Sequence, residues 1–314
     1  MRPVLILSLA MLVLAYVALA GGREWLSPGQ VWAGLWNPDD FLIQVLRLPR
    51  VLLAIGAGMA LGLAGALMQG LTRNTLATPD VIGLVQGASL GHVLVLVAGG
   101  PPLWGAVAGA ALALALVSLL ARGQGALAFV LYGIGVGATA AAATTVVLQR
   151  APDAQVAQAM LWLSGSLSRA DMATAGLLWA AVAVGLLATL GFGRALSTLW
   201  LGDELTLALG INPARLNLLV LALVAMLTGA AVLAVGPLGF LAFTAAPLAR
   251  AVTGAEPPAL LPAALMGACL LVLADLGARL LAPWVSLPTG LLMALIGAPY
   301  LIFFLTQDRR GMMR

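Results

Sequence analysis

The chain of 314 residues contains no lysine and carries little charge of either sign. Its 15 basic residues are all arginine, 11 residues are acidic, and charged side chains make up 8% of the composition. Soluble domains have about 25% charged residues. A chain that is 62% hydrophobic lacks the polar side chains to cover a surface in water. The composition therefore predicts a membrane protein, and a net charge of only +4 does not indicate nucleic-acid binding.

The missing lysine also excludes one kind of nucleotide site. A P-loop requires the pattern Gly-x-x-x-x-Gly-Lys, so the chain has no such ATP site, and any ATP that drives it must bind to another chain. The string Gly133-Ile-Gly-Val-Gly137 has apolar flanks and no preceding strand, which favours helix packing over phosphate binding. With one cysteine, Cys269, and one histidine, His92, we expect no intrachain disulfide and no catalytic or metal cluster. We therefore predict that this chain itself binds no cofactor.

Apolar runs of about 20 residues recur along the whole chain, each long enough to span a bilayer as a helix. Helices are expected because lipid cannot satisfy backbone polar groups, and the runs do not alternate as barrel strands do. We therefore predict one all-α transmembrane domain over residues 1–314. Its ten helices are placed at 4–20, 50–71, 81–99, 103–121, 127–148, 172–192, 216–235, 238–250, 259–281 and 289–306.

Two of these helices have alternative interpretations. The first run follows Arg2 and ends in Ala18-Leu19-Ala20, which suits a signal peptide, but a retained helix gives an even helix count and a consistent charge bias. The eighth helix is short and contains Pro247, so it could be tilted or lie partly outside the hydrocarbon.

The arginines predict the orientation. With both termini in the cytoplasm, nine arginines lie inside: Arg2, Arg73, Arg122, Arg194, Arg215, Arg250, Arg309, Arg310 and Arg314. Six lie outside: Arg23, Arg47, Arg50, Arg150, Arg169 and Arg279. This is a weak positive-inside bias. It becomes nine against three if Arg47, Arg50 and Arg279 are outside for a functional reason.

Three connections are longer than tight turns. Residues 21–46 are predicted outside and carry Trp25, Trp32 and Trp36, as an interfacial aromatic layer would. Residues 149–171 are also outside, with a possible short surface helix at 154–167. Residues 193–215 are cytoplasmic.

Glycines four residues apart occur inside three predicted helices, as Gly58 and Gly62, Gly105 and Gly109, and Gly133 and Gly137. Small residues at this spacing let helices approach closely in lipid. The glycines of the fifth helix, Gly133, Gly135 and Gly137, could instead let it bend beside a substrate path.

Asp275 is the one acidic residue that lies well inside a predicted span. Arg279 follows four residues later on the same helix face, which predicts an ion pair that holds Arg279 near the outer surface. A proton relay is the alternative interpretation, although a single acid makes a poor relay.

The cytoplasmic connection predicts a short helix. Gly202-Asp203-Glu204 is typical of a helix start with acidic residues in its first turn, and Gly210 followed by Pro213 is typical of its end. From the residues alone, this helix could lie on the membrane or dock into a cytoplasmic partner.

Four stretches of the sequence resemble one family. They are Arg47 to Asp80 with Arg73-Asn74; Leu201 to Gly210; Gly236-Pro237-Leu238-Gly239-Phe240 through Arg250; and Leu261-Pro262 through Gly297-Ala298-Pro299. Together they resemble the permease subunits of ABC importers for ferric siderophores, haem and vitamin B12. Two positions depart from the family pattern, since Leu248 and Ser286 replace polar or charged groups.

The resemblance implies a bacterial inner-membrane complex of two permease subunits, two ATPase chains that bind ATP and magnesium, and an extracytoplasmic substrate-binding protein. It implies that Arg47, Arg50 and Arg279 meet acidic residues of that binding protein. It also implies that the ATPase contact is formed by Gly202, Asp203, Glu204, Ala208, Leu209, Gly210, Ile211 and Asn212. The cargo favoured is a ferric siderophore, with cobalamin and haem as alternatives.

Two other function classes remain open at this stage. An ion-gradient-driven transporter would need several intramembrane acids or unwound helices, and only Asp275 fits. A structural membrane anchor is the third class.

Overall fold

A computed structural model describes residues 2–22, 24–122, 124–198 and 202–311. Over these ranges the chain forms fourteen α-helices, a π-helical segment at Phe41–Arg47 and a 3-10 turn at Pro79–Ile82, and it contains no strand. The α-helices are α1 (Arg2–Ala20), α2 (Pro28–Trp36), α3 (Leu48–Thr72), α4 (Leu84–Val97), α5 (Pro102–Leu120), α6 (Gly125–Leu148), α7 (Asp153–Leu163), α8 (Met172–Gly191), α9 (Gly193–Ser197), α10 (Asp203–Ala208), α11 (Pro213–Val235), α12 (Leu241–Thr253), α13 (Leu260–Leu281) and α14 (Thr289–Gly311).

Each of the ten predicted helices is present, so the prediction of an all-helical membrane fold is confirmed. Within the described ranges, six apolar helices are long enough to cross a bilayer, and four others are apolar but shorter. The short helices expected in the connections 149–171 and 193–215 appear as α7 and α10. Most boundaries agree within three residues, and α14 continues five residues past its predicted end.

The predicted start of the second membrane helix at residue 50 is wrong, because the helical path begins at Phe41. Asp40 starts it, with a carboxylate oxygen that accepts a hydrogen bond from the Ile43 N–H at 2.9 Å. Pro49 has no N–H to donate and therefore suggests a helix start. In the structure Pro49 lies in the first turn of α3, directly after the π-helical segment, so the helix continues through it.

Helix α3 lies at the centre of the bundle, buried along nearly its whole length by α8, α11, α12 and α13. Its glycines permit the closest of these contacts. A Cβ atom on Gly58 would collide with the backbone of Gly267 and Ala268, and one on Gly62 would collide with Ala263. The predicted role of glycine spacing in helix packing is confirmed here.

Helix α12 is short because it is an interior element. Seven successive residues from Leu241 to Pro247 are buried, and the helix packs on α3 and α13. Pro247 lies within this buried stretch, and the position of α12 relative to the hydrocarbon stays a prediction. Gly236 and Leu238 of the non-helical turn before α12 are also buried, which suits irregular backbone in a membrane protein.

Candidate functional sites at the two ends of helix α3

The three arginines predicted to dock a partner lie together at the N-terminal end of α3. Arg47 ends the π-helical segment, Arg50 lies in the first turn of α3, and Arg279 lies in the last turn of α13. With Asp275 they form what we call the arginine cluster. The C-terminal end of α1 lies beside this cluster, and Arg47 and Arg279 donate hydrogen bonds to its carbonyls.

Arg47 caps the end of α1. Its Nη1 donates to the carbonyls of Leu19 at 2.7 Å and Ala20 at 2.8 Å, and its Nη2 donates to the carbonyl of Glu24 at 2.8 Å. The last carbonyls of a helix lack partners within the helix and carry partial negative charge, so a guanidinium stabilises them. Arg47 is only 7% exposed. Its position against the positive-inside tendency therefore has a structural explanation.

Arg279 also holds α1. Its Nη1 donates to the Gly21 carbonyl at 3.0 Å and its Nη2 to the Ala18 carbonyl at 2.9 Å. Its Nε lies 3.1 Å from Asp275 Oδ2, as an ion pair without the alignment of a hydrogen bond. The predicted ion pair between Asp275 and Arg279 is thus confirmed.

Asp275 connects three helices from a position that is 2% exposed. Arg50 of α3 reaches it with Nε at 3.0 and 3.1 Å from the two carboxylate oxygens and with Nη2 at 2.9 Å from Oδ1. Thr289, the first residue of α14, donates its hydroxyl to Oδ1 at 3.2 Å. The contact with Arg50 was not predicted, because 225 residues separate the pair and local spacing carries no signal for it.

A cleft of about 280 Å³ lies beside the cluster, lined by Gly22, Glu24, Leu42, Leu46 and the three arginines. Within the cluster, three arginines share one carboxylate, while Glu24 lines the cleft and Asp40 also lies close enough to Arg47 to interact with its charge. The Arg50 side chain is 22% exposed and the Arg279 side chain 13%. Arg50 has the most exposed side chain of the three arginines, so it is the one best placed to bind a carboxylate from outside the chain.

The coupling segment, residues 202–212, lies near the C-terminal end of α3. Gly202 precedes α10 with φ +99°, and Gly210 follows it with φ +79°, so glycine is favoured at both positions. Asn212 then caps α11 by accepting the Arg215 N–H at 3.2 Å. The predicted start and end of the short helix are confirmed, while the side chain of Asp203 lies outside the described part of the chain.

Among its described side chains, helix α10 buries one and exposes the others. Thr206, 2% exposed, donates its hydroxyl to the carbonyls of Thr198 at 3.0 Å and Gly202 at 2.7 Å. Leu205, Leu207 and Leu209 are 55%, 63% and 61% exposed. Of the other predicted contact residues with described side chains, Glu204, Ala208, Gly210 and Asn212 are exposed, and Ile211 is half-buried.

The glycines of the possible path divide between two faces of α6. Gly133 and Gly137 are buried against Gly83, where a Cβ atom would meet the α6 backbone. Gly135 is on the opposite face and lines an apolar groove of about 720 Å³ between α4, α5 and α6. The path itself stays a prediction.

Two polar contacts inside the bundle were not predicted as pairs. Gln69, fully buried on α3, donates to the Phe243 carbonyl at 3.3 Å and accepts from Arg250 at 3.4 Å. His92 stacks on Trp162 with ring centroids 3.9 Å apart. Both contacts join residues far apart in the chain, so sequence spacing could not reveal them.

This arrangement of helices is that of a transport permease, and sequence comparison identifies the family. Residues 9–307 match the FecCD transport family, so the chain belongs to that family. A solved structure described as an inward-facing conformation of a metal-chelate type ABC transporter superposes with a TM-score of 0.86 at 27% identity, covering 97% of this chain and 98% of that one.

Individual relatives are similar over nearly their full length. The Fe(3+)-citrate import system permease protein YfmE of Bacillus subtilis (strain 168) is 36% identical, with 98% of this chain and 95% of that protein covered. The hemin transport system permease protein HmuU of Yersinia pestis is 37% identical, with 98% and 97% covered. The ferric enterobactin transport system permease protein FepG of Escherichia coli (strain K12) is 36% identical, with 98% and 96% covered.

Proposed function

We propose that this chain is the membrane path of an ATP-driven importer for a ferric chelate. The whole-length family match carries the proposal, because it covers 299 of 314 residues, from 9 to 307. The absence of lysine supports an ATPase on separate chains. The protein itself performs no covalent chemistry; it converts closure of the ATPase into a change of access across the membrane.

The proposed assembly contains two permease subunits, as a homodimer or heterodimer, two ATPase subunits that bind ATP and magnesium, and an extracytoplasmic substrate-binding protein. It lies in the bacterial cytoplasmic membrane with both termini of this chain inside. In that orientation the arginine cluster faces outward and the coupling segment faces the cytoplasm. The two sites then lie where a binding protein and an ATPase would approach.

The coupling segment supports the ATPase contact through its exposed leucines. A six-residue helix that presents Leu205 and Leu207 buries little of their apolar surface within its own chain. Single exposed apolar residues are normal, but several on one short helix suit a partner's cleft.

The arginine cluster supports docking of an acidic surface, with unequal roles. Arg50 is the direct contact, because its guanidinium borders the cleft and offers a fork suited to carboxylates. Arg47 and Arg279 contribute chiefly by positive charge, since both donate hydrogen bonds to carbonyls at the end of α1 and Arg279 is also paired with Asp275. Exposed ion pairs are individually weak, at roughly 0–1 kcal/mol, yet several can orient an incoming protein.

A ferric siderophore is the proposed cargo, with haem and cobalamin as alternatives. The names of the similar permeases include ferric citrate, hemin and ferric enterobactin, and all three are iron chelates. The loss of polar groups at Leu248 and Ser286 relative to the family pattern bears on the choice among them.

An ion-gradient-driven transporter is the rival. It would use Asp275 as a proton carrier, but this carboxylate is held by Arg50, Arg279 and Thr289. An acid held by two arginines and a threonine serves to join helices, and it lacks the chain of further acids that a proton relay needs.

The test is reconstitution of this chain with its ATPase and binding protein in liposomes. Import of 55Fe-labelled ferric citrate, enterobactin and hydroxamate chelates, of hemin and of cobalamin is measured with ATP inside the vesicles. We expect ATP-dependent uptake of one iron chelate and none with this chain alone. Uptake by this chain alone under a proton or sodium gradient would refute the proposal.

A further inference from the structure

Arg73 ends α3 in a conformation that is unfavourable for arginine. Its φ is +51° and its ψ is +32°, in the left-handed region, where glycine is the usual residue at a helix end. A side chain with a Cβ atom costs about 1–2 kcal/mol there. A non-glycine residue in such a position indicates that its side chain is needed for something else.

The Arg73 side chain lies against Gly202, the residue before α10. A Cβ atom on Gly202 would stand 3.6 Å from Nη1 of Arg73. Gly202 also accepts the Thr206 hydroxyl at 2.7 Å and the Thr206 N–H at 2.9 Å, so it is the anchor of the first turn of α10. The arginine stands where a glycine is expected, and its guanidinium meets a glycine with φ +99°.

We propose that Arg73 is a positioning residue that fixes the start of α10 to the end of α3. It thereby sets the placement of the coupling segment toward the ATPase, and in this respect the inference rests on the proposed function. Helix α3 is buried along its length and carries Arg50 23 residues before Arg73, which at about 1.5 Å per residue is roughly 35 Å. One rigid helix thus joins the arginine cluster to the contact that positions α10.

The first measurement concerns this chain alone. Cys269 is replaced by alanine, and nitroxide labels are placed at Leu207→Cys on α10 and Leu119→Cys on α5, both exposed. We expect a narrow distance distribution by pulsed EPR, which Arg73→Ala broadens at least twofold. Arg73→Lys, which keeps the charge and much of the length, should recover at least half of the change. Arg122→Ala, on another loop of the same predicted side, is the matched control and should change nothing.

The second measurement uses the complex with the ATPase. A bismaleimide links Leu207→Cys to single cysteines on the ATPase surface, and the yield is divided by the amount of ATPase recovered. Arg73→Ala should lower the normalised yield at least fivefold, and Arg73→Lys should restore part of it. Gly202→Ala strains the backbone at φ +99° on the other side of the same contact, without a change of charge. It should act like Arg73→Ala, and it replaces that variant in the test if Arg73→Ala fails to assemble.

The outcomes separate the two ideas. If the Leu207→Cys protein with Arg73 and Gly202 unchanged gives no link to the ATPase, the proposed coupling segment is wrong, whatever the EPR result. If the wild type links but Arg73→Ala and Gly202→Ala leave both the link and the distance distribution unchanged, the positioning role of Arg73 is overturned. Equal losses in Arg122→Ala would also overturn it, because the effect would then reflect any arginine on that side.

Discussion

The two ends of α3 differ in how completely their polar groups are used. At the arginine cluster, the Arg47 and Arg279 guanidinium groups are bound by helix carbonyls, and Asp275 is shared by two arginines and a threonine. At the coupling segment, one buried threonine holds a helix whose leucines are exposed. The first end is organised within this chain, whereas the second leaves its apolar surface for another molecule to cover.

The difference teaches how each end would recognise a partner. Buried charges held by several hydrogen bonds keep one geometry, so the arginine cluster offers a fixed Arg50 to an incoming acid. A short helix with few internal contacts depends on its anchor, here Thr206 and Gly202, for its placement. Substitutions at the arginine cluster should therefore change folding first, and substitutions at the coupling segment should change assembly first.

The largest effect is expected at Asp275. Replacing it by alanine leaves Arg50 and Arg279 without their counter-ion, and loss of one partner from a buried pair costs about 3–5 kcal/mol. The variant should melt at a much lower temperature in detergent or fail to accumulate. Asp171→Ala is the control, because it removes an exposed cap of α8 worth about 1 kcal/mol. Equal melting temperatures for both variants would mean that Asp275 does not hold the helices together.

Arg47 and Arg50 should separate folding from docking. Arg47→Met removes three hydrogen bonds to carbonyls, two at the end of α1 and one at Glu24, and should destabilise the protein by roughly 3 kcal/mol. Arg50→Met leaves Asp275 with Arg279 and Thr289, so we expect a smaller loss of stability and at least tenfold weaker docking of the binding protein.

Affinity is measured on folded protein by surface plasmon resonance, at two salt concentrations. Docking to the wild type should weaken as salt rises, because exposed charges are screened. If Arg47→Met weakened docking as much as Arg50→Met did while its melting temperature stayed that of the wild type, the assignment of roles would be reversed. Reversing Arg47, Arg50 and Arg279 together to glutamate should abolish docking in any variant that still folds.

At the coupling segment, Gly210→Trp should impair assembly and spare the fold. A Cβ atom on Gly210 meets nothing within 4 Å in this chain, so a side chain can begin there without a collision. The left-handed φ of +79° adds a cost of about 1–2 kcal/mol. Gly210→Asn is the control, because asparagine tolerates this conformation and adds little bulk. We expect at least tenfold less ATPase recovered with the tryptophan variant, and a melting temperature only a few degrees below that of the wild type.

The sequence predicted what depends on nearby residues. Glycines bounded α10, apolar runs located the ten apolar helices, and i,i+4 spacing gave the ion pair of Asp275 with Arg279. The sequence did not reveal contacts between residues that are far apart in the chain. Arg50 meets Asp275 across 225 residues, and Arg47 caps a helix that ends 27 residues earlier. The π-helical segment before α3 was also missed, because Pro49 suggests a helix start although the helical path already begins at Phe41.

The same limit applies to the candidate sites. Three arginines on the predicted outer side looked alike in the sequence, since each only opposed the charge bias. Their burial distinguishes them, because it depends on where α1 ends relative to α13. Arg73 carried no signal of its own beyond a resemblance, and its left-handed backbone and contact with Gly202 are visible only in three dimensions.

The smallest effect is expected in the turn between α3 and α4. Burial raises the pKa of the Asp80 carboxyl to about 6 from its ordinary value of 3.8. The folded state thus favours the neutral acid, and this contribution to stability is full below pH 4 and lost as pH rises through 6. Part of the side chain is accessible to solvent, so we expect roughly 1 kcal/mol, or about 2 °C in melting temperature. Asp80→Asn should melt higher than the wild type at pH 8 and equally at pH 4. A constant difference between the two proteins at both pH values would show that ionisation of Asp80 does not affect stability.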